Sequence, residues 1–85
     1  MSVKLLYFAW VREKAGKAEE TVELPEKVKT VTDLMAWQKT RGPRFEAAFE
    51  QSNVIRTAID QTHVAPDAAI ADAREIAFFP PVTGG

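Results

Sequence analysis

Cysteine is missing from the 85-residue sequence, and histidine occurs only once, at position 63. The absence of cysteine excludes disulfides, thiolate metal sites and a thiol nucleophile within the chain. A single histidine with no acidic cluster at ligand spacing does not indicate a zinc site. We therefore expect neither a metal nor a bound cofactor.

Neither sign of charge predominates, and long apolar runs are also missing. Eleven basic residues stand against twelve acidic ones, for a net charge of −1, so no surface for nucleic acid is indicated. No stretch approaches the ~18 consecutive apolar residues of a membrane span. The apolar run near the N-terminus is too short and badly flanked for a signal peptide. We expect a cytoplasmic protein whose partners are neither nucleic acid nor membrane.

The composition that remains is that of an ordinary small globular domain. Hydrophobic residues make up 46% of the sequence and charged residues 27%, which is typical of a folded chain and not of a disordered one. The length allows one domain with one modest core.

Two stretches in the first third of the chain have strand patterns. Residues 3–9 are apolar at nearly every position, which favours a strand buried on both faces at the centre of a sheet. Residues 12–16 form a polar turn, with room for one helical turn. Residues 20–24 alternate, with Val22 and Leu24 on one face and acids on the other. They predict a second strand in a hairpin with the first.

A helix is predicted after Pro25, which ends the second strand. Thr30 or Thr32 is placed to cap it, and the Gly-Pro pair at 42–43 stops it. A second short helix is predicted over residues 43–51. The apolar face of the first helix has the spacing i, i+3, i+4, i+7 and consists of Val31, Leu34, Met35 and Gln38.

The last third of the domain has two further strand patterns. Residues 54–60 alternate and predict a third strand, whereas residues 61–73 form a loop-rich region with Ile70 as its one large apolar anchor. Residues 75–79 predict the final strand. The order strand, strand, helix, strand, strand indicates an α+β fold, with one helical layer on a mixed sheet as the simplest arrangement.

The last eight residues, FFPPVTGG, join an apolar anchor, a rigid spacer and a flexible tip. Pro80 and Pro81 fix φ and hold the preceding residue extended, so the chain should leave the body stiffly. Residues 80–85 reach on the order of 20 Å, enough to enter a deep cleft, and the two glycines fit a narrow channel. A frayed terminus is the alternative. The sequence favours a domain over residues 1–79 followed by a working tail.

Four segments carry a resemblance to a known family. They are KLLYFAWVRE at the start, IRTAIDQTHV at the third predicted strand, EIAFF at the last strand, and the tail. They resemble the small subunits of molybdopterin synthase, which are ubiquitin-like sulfur carriers, along nearly the whole chain. The resemblance implies a β-grasp fold, in which the first and last strands run parallel at the centre of the sheet and carry the tail out from one end.

The sequence departs from the usual pattern of that family in three places. Asp60 and Gln61 replace an Asn-Gln pair, and His63 stands where many relatives have an apolar residue. Residues 73–75 read Ala-Arg-Glu in place of Gly-Asp-Glu, so the residue best suited to positive φ is absent. These departures bear on turn geometry and partner fit and leave the tail unchanged.

The resemblance also implies a reaction cycle centred on Gly85. An ATP-dependent, E1-like activating enzyme would convert its carboxylate to an acyl-adenylate, and sulfur from a persulfide protein would replace AMP to give a thiocarboxylate. In the large subunit of molybdopterin synthase this group would deliver sulfur to the pyranopterin precursor of the molybdenum cofactor. The chain would not be catalytic alone, and it would assemble as a heterotetramer with a large-subunit dimer.

The site implied by the resemblance has two parts. Gly85 would carry the sulfur, and Phe79, with Phe8 as its neighbour, is assigned to the interface with the large subunit. Because successive strand residues face opposite sides, Phe78 and Phe79 do not both enter the core; a covered core aromatic is the alternative for Phe79. The segment that would thread the partner's channel consists of Pro80, Pro81, Val82, Thr83 and Gly84.

Other functions stay open for the same tail. The chain would serve equally as a sulfur carrier for thiamine synthesis or tRNA thiolation, or as a ubiquitin-like modifier joined to lysines through Gly85. The FFPP spacer and the length favour the molybdopterin pathway over a thiamine carrier. A plain binding module would tolerate extra residues after Gly85.

Overall fold

The computed structural model describes residues 2–81, so the predicted segment 82–85 lies outside the described residues. A 3₁₀ turn, Ser52–Val54, precedes the third strand. Within the described part of the chain no helix is both long and apolar enough to cross a bilayer. The elements are β1 (Ser2–Tyr7), α1 (Ala9–Ala15), β2 (Glu19–Glu23), α2 (Val31–Lys39), α3 (Pro43–Ala48), β3 (Arg56–Ile59), β4 (Thr62–Val64) and β5 (Glu75–Phe79).

Five strands form one mixed sheet among the described residues, in the order β2-β1-β5-β3-β4. Strands β1 and β5 run parallel at its centre, from Lys4 opposite Glu75 to Tyr7 opposite Phe78. The other neighbouring pairs are antiparallel. The predicted α+β class and the parallel central strands of a β-grasp fold are confirmed.

The segment after β1 is a seven-residue helix, whereas a polar turn with room for one helical turn was predicted over residues 12–16. Strand β1 ends at Tyr7 and not at Ala9, because Ala9 has a φ of 51° and begins α1. Val11 and Ala15, spaced i, i+4, are both buried and fix α1 on the core. Burial of these two side chains therefore stabilises the helix.

The loop-rich region predicted for residues 61–73 contains a strand, β4. Asp60 and Gln61 have φ values of 48° and 71°. Two consecutive central residues with positive φ form the tight turn that hairpins favour, because its twist matches that of the strands. Ile59 therefore pairs with Thr62, and β4 continues from β3 as the edge of the sheet.

Two predicted bounds also need correction. The second helix, predicted over residues 43–51, ends at Ala48. The third strand, predicted over residues 54–60, begins at Arg56, because Ser52–Val54 takes a 3₁₀ turn. The alternation of residues 54–60 therefore begins within this 3₁₀ turn, and the sequence pattern alone does not separate the turn from the strand.

Asp60 also fixes the chain where it enters β5. Its Oδ1 accepts the backbone N–H of Arg74 at 3.1 Å and that of Glu75 at 3.0 Å. An ionised acceptor makes these hydrogen bonds charge-assisted, so an acid suits this position. Ala73 is not among the residues with positive φ, so this turn does not require the glycine that the family commonly has.

Helix α2 begins with a capping box. Thr30 Oγ1 accepts the N–H of Asp33 at 3.1 Å, and Asp33 Oδ2 accepts the N–H of Thr30 at 3.2 Å. Thr32, the other predicted cap, instead donates its hydroxyl to the carbonyl of Pro66 at 2.9 Å. The predicted apolar face is confirmed as buried: Val31, Leu34, Met35 and Gln38.

Candidate functional site

The end of β5 brings the tail out beside the end of β1. The N–H of Phe8 donates to the carbonyl of Phe78 at 3.1 Å, so the parallel ladder extends one residue beyond β1. Pro80 and Pro81 follow and are half-buried. The rest of the predicted tail, residues 82–85, lies outside the described residues, so its threading and its chemistry stay predictions.

Phe78 and Phe79 face opposite sides of the sheet, as strand geometry requires. Phe78 is 0% exposed, stacks on Tyr7 with 5.9 Å between ring centroids, and meets Phe49 edge-on at 5.0 Å. Phe79 is half-buried, and its ring centroid lies 5.1 Å from that of His63. Phe78 therefore anchors the strand in the core and leaves Phe79 on the opposite face.

The sheet face opposite the buried core carries a strip of aromatic, aliphatic and polar side chains that we call the open face. Phe8 is 46% exposed and is the one exposed large apolar side chain in the described part of the chain. The interface role assigned to Phe8 and Phe79 stays a prediction, and the structure places both on this face. The open face comprises Leu6, Phe8, Arg56, Ala58, His63, Ala77 and Phe79.

A polar network holds Tyr7 on the other side of the sheet. The Tyr7 hydroxyl donates to Glu20 Oε2 at 2.6 Å and accepts from Gln38 Nε2 at 2.9 Å. Arg41 donates to both carboxylate oxygens of Glu20, at 2.8 and 2.9 Å, and to Gln38 Oε1 at 2.7 Å. A bidentate pair of this kind fixes geometry as well as charge. Because Tyr7 stacks on Phe78, the network orients the strand end from which the tail leaves.

The network also determines the ionisation of its members. Hydrogen bonds from Arg41 are the largest cause that lowers the pKa of Glu20, to about 2, against the opposing effect of burial. Burial raises the pKa of the Tyr7 hydroxyl far above its ordinary value, and the hydrogen bond to Glu20 raises it further. Near neutral pH the network therefore consists of an ionised carboxylate, a guanidinium and a neutral phenol.

We expect the stabilisation from Glu20 to disappear in acid. The folded-state pKa, about 2, lies below the ordinary 4.5 of the unfolded chain. Between these values the unfolded state binds more protons, so the stabilisation is complete above the unfolded pKa and is lost as the pH falls through the folded one. The Glu20→Gln variant should be less stable than the original by about 2 kcal/mol near pH 6, because it loses charged hydrogen bonds.

Urea denaturation of both proteins over a range of pH measures this effect. The stability difference between them should shrink steadily from about pH 5 towards about pH 2, because the lost carboxylate no longer matters once it is protonated. A difference that stays constant over this range would contradict the role given to Glu20.

A groove of about 480 Å³ opens beside Pro81, and we call it the root groove. Lys14 Nζ lies 5.2 Å from the centroid of the Trp10 ring at one of its walls. Nothing in the sequence pattern predicts this groove, and the one signal that could have indicated it is the i, i+4 spacing of Trp10 and Lys14. Four of the lining residues are apolar and two are charged: Trp10, Ala47, Val54 and Pro81, with Lys14 and Glu50.

Parallel central strands, helices packed on the core face, and a chain that leaves at the end of β5 define a ubiquitin-like β-grasp protein. The chain belongs to the ThiS family, whose sequence profile matches residues 5–85. It is 37% identical over 83 residues to the molybdopterin synthase sulfur carrier subunit of Escherichia coli (strain K12), a match that covers 98% of this chain and 99% of that protein.

Two solved structures share the fold over their full length. A putative molybdopterin converting factor, subunit 1, from Pyrococcus furiosus is similar with a TM-score of 0.76 and 32% identity, over 96% of this chain and 99% of that chain. SAMP1 from Haloferax volcanii is similar with a TM-score of 0.72 and 26% identity, over 100% of both chains. The β-grasp fold expected from the sequence is therefore confirmed.

Proposed function

We propose that the chain is the sulfur carrier subunit of a molybdopterin synthase. One observation carries the proposal: the curated relatives, 32–37% identical over essentially the whole length, all have that name. The position of β5 supports it. This strand is paired with β1 on one side and β3 on the other, so the point at which the tail leaves the domain is rigid.

The chemistry proposed for Gly85 takes place in two stages. An E1-like enzyme activates the carboxylate with ATP, which gives an acyl-adenylate and pyrophosphate. The terminal sulfur of a persulfide protein then displaces AMP, and a second thiol cleaves the resulting acyl disulfide and leaves a thiocarboxylate on Gly85. An ionised thiocarboxylate is a nucleophile at sulfur, and it forms a carbon–sulfur bond to the pyranopterin precursor in place of a carbon–oxygen bond, whose oxygen leaves. Water then cleaves the acyl–sulfur bond, which leaves the sulfur on the precursor and restores the carboxylate.

The chain contributes position and not acid–base groups. Glu75 is the last charged side chain in the sequence, so no general acid or base lies on the tail itself. The partner active site must therefore supply those groups and hold the reacting atoms together, which is where most of the rate enhancement arises. Pro80 and Pro81 restrict the directions in which the tail leaves the domain, and this lowers the entropy lost on docking.

A large subunit is the partner that this function requires, and Phe8 and Phe79 on the open face are the proposed contacts. Phe8 is exposed and Phe79 is half-buried, and aromatic side chains that remain accessible on one face are typical of an interaction surface. We expect two copies of the chain to flank a dimer of the large subunit. Light scattering of the mixed, purified subunits measures the mass of the complex, and the absence of any complex would contradict the proposed function.

A second function is favoured by the similarity to SAMP1, which is a small archaeal modifier protein. A modifier would pass the same activated Gly85 to the lysine amines of other proteins and form isopeptide bonds. The two functions differ in their products, because the modifier leaves a branched peptide on its targets. Peptide mass spectrometry of host proteins detects such branches, and their presence would favour the modifier.

A further inference from the structure

We propose that the root groove is part of the docking surface for the protein that receives the tail, and that it accepts an aliphatic side chain flanked by an acidic one. The proposal rests on the proposed function, since the large subunit is the occupant. The groove would be a second contact region, beside Pro81 on the helical side of the sheet, in addition to the one formed by Phe8 and Phe79.

The groove lies beside the point at which the tail leaves the domain. Pro81 is one of the lining residues, and the four residues that follow it span at most about 13 Å. A partner whose active site takes up Gly85 must come within that distance of Pro81. The surface of that partner is therefore close enough to contact the side chains that share the groove with Pro81, including Trp10 and Val54.

Two charged side chains that line the groove, Lys14 and Glu50, have no ion-pair partner among the described residues. Within residues 2–81, the Lys14 ammonium has no carboxylate within ion-pair distance, and the Glu50 carboxylate has no cation. Lys14 lies over the indole of Trp10 instead, an interaction that an exposed site makes weak. An acidic side chain of the partner would form an ion pair with Lys14. The Trp10 ring would then be free to contact an apolar group of the partner.

The lining then defines the chemistry of the occupant. Apolar surfaces of Trp10, Ala47 and Val54 favour an aliphatic side chain, and about 480 Å³ is ample for one. Lys14 and Glu50 both line the groove, so they favour an acidic group of the occupant beside Lys14 and a basic group beside Glu50. A partner with the opposite order of charges would be repelled, so the groove contributes to specificity.

Binding of the purified large subunit, measured by titration calorimetry, tests the proposal. Lys14→Glu should weaken binding at least about tenfold at low salt, with a smaller effect at high salt because the interaction is screened. The matched control is Lys27→Glu, which makes the same charge change at an exposed lysine outside the groove and should leave the affinity within about twofold.

The two indole N–H resonances provide an independent readout. On addition of the large subunit the signal of Trp10 should shift, whereas that of Trp37, in α2 and outside the groove, serves as the internal reference. An unmoved Trp10 signal together with an unchanged affinity of Lys14→Glu would overturn the inference while the original protein still binds. If the original protein does not bind at all, the proposed function falls and the inference with it.

The tail of the chain itself is the competing occupant. Removal of residues 82–85 from the free protein should leave the Trp10 resonance where it was. A shift as large as the one that the large subunit causes would place the chain's own tail in the groove and would overturn the proposal.

Discussion

Deletion of Gly85 is expected to lower sulfur transfer at least about 100-fold, because a shorter tail misplaces the reacting carbonyl by several ångströms, and even smaller displacements have effects of this size. The fold should be unaffected, since the buried core of the described residues ends with Phe78. Single-turnover transfer from the loaded carrier to the precursor in the presence of the large subunit measures the loss. Circular dichroism melting of the same variant checks the fold.

A chain extended by one alanine after Gly85 is the matched control for tail chemistry. It keeps every residue of the tail but moves the carboxylate by one position, so a sulfur carrier should lose transfer as severely as with the deletion. Full transfer by either variant would contradict a role for the Gly85 carboxyl group. Unchanged binding of the large subunit by the extended chain, with no transfer, would separate docking from chemistry.

Replacement of Phe78 by alanine is expected to lower the free energy of unfolding by about 4 kcal/mol, the usual effect of removing a fully buried phenylalanine. Its ring is completely buried and packs on Tyr7 and Phe49. Since a small domain has on the order of 5–15 kcal/mol in total, this is a large part of its stability. Urea denaturation measures the change.

Phe79→Ala is the neighbouring control, one residue further along the same strand. Phe79 is half-buried on the open face, so we expect a loss of stability of only about 1 kcal/mol. Binding of the large subunit should weaken more than tenfold, as expected for an aromatic anchor in an interface. Equal stability losses in the two variants, or normal binding by Phe79→Ala, would contradict the division of roles between the two faces.

Much of the fold could be predicted because the larger elements have clear periodic patterns. The stripe of Val31, Leu34 and Met35 was long enough to define α2 and its buried face. The parallel pairing of β1 and β5 came from the family resemblance, because alternation within a strand says nothing about its neighbours. Hydrophobic patterns fix which residues are inside and leave the topology open.

The elements that were missed or only partly predicted are short, and each is held by one or two local features. Helix α1 depends on two buried residues, Val11 and Ala15, within a polar stretch that resembles a turn. Strand β4 depends on positive φ at Asp60 and Gln61, and neither residue is the glycine that usually marks such a turn. Tertiary packing determined the secondary structure of these segments. Three to seven residues are too few to show a reliable hydrophobic periodicity.

The candidate site was predictable in part for similar reasons. The alternation of Phe78 and Phe79 follows from strand geometry alone. The polar network was not foreseen, although Gln38 in an apolar stripe was a signal, because a buried amide must find hydrogen-bond partners. Those partners, Tyr7, Glu20 and Arg41, come from three separate segments, and only the fold brings them together.

The most direct test of the sulfur carrier function is the intact mass of the chain after incubation with the E1-like activating enzyme of its host, ATP and a persulfide donor. Exchange of one carboxylate oxygen for sulfur should add about 16 Da, located by fragmentation at Gly85. An unchanged mass, under conditions in which a known sulfur carrier acquires the modification, would contradict the proposed function.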